Sequence, residues 1–137
     1  MNPILTPVLL LVAWSLMVAA LMALTRLPAM RRLGLTLRDA RHSADLHVLP
    51  SSVRQVSDNY NHLMEQPTIF YALAFYTYLA GHETSTTIML AWAYVALRVV
   101  HSLIQCTVNV VMARFAVFAL STLALIAWAV IEVMAVL

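Results

Sequence analysis

Three polar residues stand where an apolar segment begins. Asp58, His62 and Glu65 are spaced i, i+4, i+7, which is one face of a helix. A second set, Arg98, His101 and Gln105, repeats the pattern at i, i+3, i+7 inside another apolar run. Carboxylate, imidazole, amide and guanidinium on two such faces can do one of two things. They can satisfy one another as a buried ion network, with Glu65 paired to Arg98 and the histidines and Gln105 completing it. Alternatively, they can hold a charged or zwitterionic ligand, since ionisable groups at membrane depth are costly and mark functional sites. Arg114 opens the last apolar run beside Phe115, and no acidic neighbour lies near it on its own helix. Glu132 is 18 residues away, about 27 Å along a helix axis. The partner of Arg114 must therefore come from another helix, a lipid phosphate or a bound anion.

Other chemistries fit the residues less well. His62 and Glu65 match a Glu-x-x-His metal pair only in reverse, with no second pair to complete a site. Cys106 is the lone cysteine, so no disulfide within the chain is possible, and no activating neighbour is evident for a thiolate. With two glycines in all, the chain has no phosphate-binding glycine loop and no nucleophile elbow. Nucleic acid is a poor partner for a chain with so little solvent-exposed length.

The elements that must position these residues are helices in lipid. Of 137 residues, 63% are hydrophobic and 10% are charged, and mean hydropathy is +0.86. A soluble domain carries about a quarter charged residues, so this is an integral membrane protein of one domain, residues 1–137. Met1 to Thr25 has no side-chain charge, and Ile4 to Leu24 alone reaches roughly 31 Å as a helix. A signal peptide would have a basic start and a shorter apolar run. Pro67 to Gly81, at about 22 Å, is too short to cross alone, so one long helix from Val53 to Ala80 is expected, its polar first half at the headgroups. Spans over 4–25, 53–80, 84–111 and 114–136 make an all-α, four-transmembrane-helix bundle in up-down order. Gly81-His82-Glu83 forms the tight turn between the second and third.

Arginine placement sets the orientation. Arg26, Arg31, Arg32, Arg38, Arg41 and Arg54 lie between the first two spans, the hairpin at Gly81 and both tails hold none, and the chain has no lysine. The positive-inside rule puts the Arg26–Arg54 loop in the cytoplasm with Arg114 on the same side, and both termini outside. Arginine also binds carboxylate or phosphate through two parallel hydrogen bonds. The loop thus serves topology and lipid headgroups and can also draw in an anionic ligand.

Taken together, several features resemble the MAPEG family, membrane-associated proteins in eicosanoid and glutathione metabolism. They are the four spans, the basic first loop, Glu65 to Phe70 opening span two, Arg-Val-Val-His at Arg98 to His101, and Arg114 opening span four. Asn-His-Leu-Met-Glu-Gln-Pro (Asn61 to Pro67) and Tyr94 to Ser102 are most similar to its small bacterial branch. The resemblance spans essentially the whole chain. It implies a homotrimer in the bacterial inner membrane, with glutathione as co-substrate bound between subunits near the cytoplasmic face. The implied activity is a transferase or peroxidase acting on small lipophilic electrophiles. By position, Arg26, His62, Glu65, Arg98 and Gln105 fall in the implied glutathione site, where the counterpart of Glu65 holds the amine. The counterpart of Arg114 stabilises the thiolate. Three positions depart from glutathione-using members: Asp58 stands for an arginine, His62 for an asparagine and Gln105 for a tyrosine. Asp58 inverts a charge expected to meet a glutathione carboxylate. The alternative is therefore a non-catalytic bundle, or one that binds a different amphipathic ligand. Assembly has a physical motive as well, because ionisable stripes on two helices are hidden from lipid more completely across subunits than within one.

Overall fold

A computed structural model describes residues 2–36 and 43–137. Arg38 and Arg41 of the basic loop lie outside the described residues. The described chain is all-helical. Helix α1 runs Leu5–Arg32, a 3-10 segment Ser43–Val48 follows, and then come α2 Ser51–Glu65, α3 Pro67–Ala80, α4 Ser85–Cys106 and α5 Val111–Val136. Helices α1, α4 and α5 are each long and apolar enough to cross a bilayer. Helix α3, with 14 residues, is not.

The long helix expected from Val53 to Ala80 is divided at Gln66. Pro67 has no N–H, so the rung back to Leu63 is missing, and Pro67 becomes the first residue of α3. Gln66 keeps helical torsions, φ −65° and ψ −35°. The hydrogen-bond ladder is interrupted while the chain continues in helical conformation, and Gln66 Nε2 donates to Thr122 Oγ1 at 2.7 Å, tying the joint to α5. The other boundaries also move. Helix α1 continues seven residues past the expected end at Thr25, because arginines do not stop a helix and Gly34, at φ 67°, lies just beyond its end. Helix α4 stops at Cys106 rather than Val111, where Asn109 takes φ 50°, a left-handed conformation that asparagine tolerates.

Both ends of the α3–α4 turn are closed by local hydrogen bonds. Gly81 takes φ 70°, with Gly81 N–H on Tyr78 O at 3.2 Å and His82 N–H on Thr77 O at 3.0 Å. This is a Schellman closure, which needs a residue free of Cβ strain. Thr84 and Thr87 then cap α4 reciprocally.

Packing inverts the soluble pattern. Leu9, Leu16, Leu24, Leu79, Met112 and Leu123 point outward, while Ser15, Asn59, Thr77, Thr87, Arg98, Gln105, Ser121 and Glu132 are buried. Lipid tails solvate leucine as well as the interior does, so small and polar residues are what gain by facing other helices. On α1 the buried stripe is Val8, Leu11, Ser15 and Val18, and on α5 it is Ser121, Leu125, Trp128 and Glu132. The central joint is aromatic. Phe70 stacks on Tyr94 at 4.8 Å and meets Trp128 edge-on at 6.0 Å.

Candidate functional site

Helix α2 presents two faces of different chemistry. Val56, Asn59 and Leu63 pack inward, at i, i+3, i+7. Asp58, His62 and Glu65 fall on the opposite side of the wheel, so the carboxylate stripe faces away from the chain's own core. The Glu65 side chain is 71% exposed, and its ion-pair partner is His62 at 3.6 Å. The internal Glu65–Arg98 pair is therefore not formed in the protomer. The packed face was already occupied by the two aliphatic residues and Asn59.

Arg98 lies on the inward stripe of α4 and is 1% exposed. Its Nε donates to Tyr94 Oη at 3.1 Å, and its guanidinium carbon sits 5.3 Å from the Tyr94 ring centre and 5.1 Å from that of Phe118. Nη2 has no partner among the described residues. One turn on, His101 Nδ1 lies 3.2 Å from Arg114 O and Nε2 lies 3.1 Å from Gln105 Oε1. A neutral imidazole donates at one nitrogen only, so both contacts are satisfied by an imidazolium or by a turned Gln105 amide that presents its NH₂. His101 thereby fastens the start of α5, and with it Arg114, to α4. The ring of His62 approaches that of His101 edge-on at 5.9 Å.

These contacts shape two adjoining cavities. One is polar, about 320 Å³, lined by Asp58, Asn61, His62, Glu65, Gln105 and Arg114. The other is mostly apolar, about 250 Å³, lined by His62, His101, Val111, Arg114, Phe115 and Phe118. His62 and Arg114 belong to both walls. Arg114 Nε is buried without a partner among the described residues. The positions singled out in the sequence thus divide. His62, Glu65, Gln105 and Arg114 line one groove. Arg98 lies behind it in the core. Arg26 lines a third cavity of about 210 Å³ with His47, Arg54, Ser57, Asp58 and Asn61. Asp58 and Asn61 connect that cavity to the polar one.

The link from Asn59 to Ser102 and Cys106 was not anticipated from the sequence, which marked Cys106 only as a lone cysteine. Ser102 Oγ donates to Asn59 Oδ1 at 2.9 Å, and Asn59 Nδ2 donates to Cys106 Sγ at 3.4 Å. This chain of hydrogen bonds ties α2 to α4. Its signal was the amide at Asn59, in register with Val56 and Leu63, which the more conspicuous charged stripe obscured.

The MAPEG family model matches residues 4–134 of the chain, and the protein belongs to the MAPEG family. No curated protein and no solved structure matches it. Family membership and the three membrane-length apolar helices thus describe an integral membrane protein of a glutathione-related transferase and peroxidase family.

Proposed function

We propose that the protein is a membrane-embedded glutathione-dependent transferase or peroxidase acting on lipophilic electrophiles. One observation carries the reading: a polar cavity and an apolar cavity meet at Arg114, whose Nε has no partner among the described residues. Glutathione matches the polar half and a lipophilic acceptor the half walled by Val111, Phe115 and Phe118. Glu65 takes the tripeptide's ammonium, and His62 and Gln105 supply hydrogen bonds. The thiol sulfur is placed at the seam, where the Arg114 guanidinium favours the thiolate, which is the nucleophile. In conjugation the sulfur forms a bond to carbon and the leaving group departs with its electron pair. Asp58 does not by itself exclude the glutathione carboxylates. Arg26, Arg54 and Arg114 outnumber Asp58 and Glu65 around the connected cavities, leaving the rim net positive. Titration of reduced glutathione into the purified protein in mild detergent should give saturable binding in the millimolar range or tighter. Absence of binding there overturns the reading and favours a different amphipathic ligand, as Asp58 alone would suggest.

The outward stripe of Asp58, His62 and Glu65 supports a homotrimer, because a neighbouring subunit hides from lipid what the protomer leaves open. Native mass spectrometry in mild detergent should show three chains, and a monomer alone would refute this. For orientation, the basic residues near Arg26 to Arg54 support a cytoplasmic groove with both termini outside, in up-down order in the bacterial inner membrane. Reporter fusions at the two ends should both read as external. A cytoplasmic carboxyl end would overturn the topology.

A further inference from the structure

The end of the bundle away from the groove holds a second polar cluster that the proposed reaction does not use. Glu132, on α5, is 3% exposed. Its Oε1 accepts from Thr77 Oγ1 at 2.6 Å and from Trp128 Nε1 at 3.2 Å, and Trp128 Nε1 also reaches Thr77 Oγ1 at 3.0 Å. Its Oε2 faces His82 Nδ1 at 3.0 Å. Thr77 and Trp128 are themselves fully buried. Glu132 also lines a cavity of about 400 Å³, whose other walls include Leu73, Tyr76, Ala129, Val133 and Val136.

A carboxylate at this depth is expensive, and membrane proteins retain such groups mainly for function. The two oxygens offer about four acceptor positions. The protein fills three of them, leaving one on Oε2. The remaining wall is aliphatic apart from the Tyr76 ring, which can receive a cation on its face. The hairpin carries no arginine, and α5 has none beyond Arg114 near its start. His82 is the basic group at the cluster, while Glu83 adds a second carboxylate close by, with Oε1 unpartnered among the described residues. An anion would meet net negative charge here. An uncharged lipid would cover the carboxylate without pairing it, a costly arrangement.

From this juxtaposition we infer a binding site for lipophilic amines. The ammonium hydrogen-bonds Oε2 of Glu132, and the apolar body fills the space between Leu73, Ala129 and Val133. The site is independent of the glutathione reading, since Glu132 lies about 27 Å along the helix axis from Arg114.

The test uses full-length protein in detergent micelles and equilibrium dialysis of radiolabelled 1-aminoadamantane, with 1-hydroxyadamantane as the uncharged control. The amine should bind saturably and at least tenfold more tightly than the alcohol. Glu132→Gln keeps an acceptor for Thr77 and Trp128 but removes the charge, and should weaken amine binding at least tenfold. Ala129→Trp fills the cavity without touching the hydrogen-bonded cluster. It should abolish saturable binding, and it carries the test if the glutamine variant fails to assemble. Neither variant should change glutathione binding. Equal binding of amine and alcohol, amine binding that persists in either variant, or no saturable binding because a neighbouring subunit covers the cavity would each overturn the inference.

Discussion

Replacing Arg114 by alanine should lower glutathione conjugation of a model electrophile such as 1-chloro-2,4-dinitrobenzene by about a hundredfold, the usual cost of losing a preorganised donor to developing charge. The bundle should remain folded. Arg114 contributes to packing mainly through its backbone carbonyl, which lies 3.2 Å from His101 Nδ1 and survives the substitution. Its guanidinium is a wall of both cavities, and Nε is buried without a partner. A fixed positive charge beside the sulfur stabilises a thiolate more than a thiol, so its loss should show in the pH dependence of the rate as well as in its size. The limb that reports thiol ionisation should move to higher pH, because without the guanidinium the thiol holds its proton longer. The measurement is a pH–rate profile of kcat/KM for both proteins, with melting followed in parallel. A variant that conjugates at the wild-type rate would remove Arg114 from the chemistry. A variant that melts many degrees lower and loses activity only in proportion would make it a structural residue.

How far the sequence carries the fold follows from which forces act in lipid. Spans were legible because α1, α4 and α5 satisfy a length and hydropathy requirement imposed by the bilayer itself. Ends were less so. Arg31 and Arg32 remain helical, and the chain turns only near Gly34, because charge does not oppose helical torsions whereas a left-handed residue does. The direction of the α2 stripe was undetermined for a related reason. Period alone groups Asp58, His62 and Glu65 on one face but does not say which face packs. That is decided by competition with Val56, Asn59 and Leu63, which fill the space against α1 and α4. For α4 there was no such competition. Arg98, His101 and Gln105 share their stripe with Tyr94, Ala91 and Thr87, and the polar residues were carried inward with them. The hairpin cluster was illegible because its members, Thr77, His82, Trp128 and Glu132, are more than 40 residues apart between the α3–α4 hairpin and α5. Only the pairing of α3 with α5 brings them together.

The second large effect is expected at Arg98, on activity rather than on stability. Arg98→Met should leave the melting temperature of the purified protein within a few degrees of wild type, yet reduce thiol conjugation at least tenfold. The guanidinium is 1% exposed, and its contacts are the Tyr94 hydroxyl and the rings of Tyr94 and Phe118, with no carboxylate among the described residues and Nη2 left unpaired. Desolvated cation–π contacts contribute about 2 kcal/mol, while an arginine at membrane depth costs about 2.5–3.5 kcal/mol on insertion scales. With two such contacts and the Tyr94 hydrogen bond, the opposing terms roughly cancel, and the charge contributes little net stability. A methionine of similar reach keeps the packing without the desolvation, as when buried charges elsewhere are replaced by apolar side chains. A charge held at membrane depth without adding net stability is a functional candidate. Here the guanidinium fixes the Phe118 ring, one wall of the apolar cavity, and adds positive potential behind the seam where the thiolate would sit. Melting curves and kcat/KM measured on the same preparation separate the alternatives. A marked fall in melting temperature would mean that Arg98 has an anionic partner supplied by a neighbouring subunit, and that the network is structural. An equally stable protein with undiminished conjugation would show that the charge serves neither role.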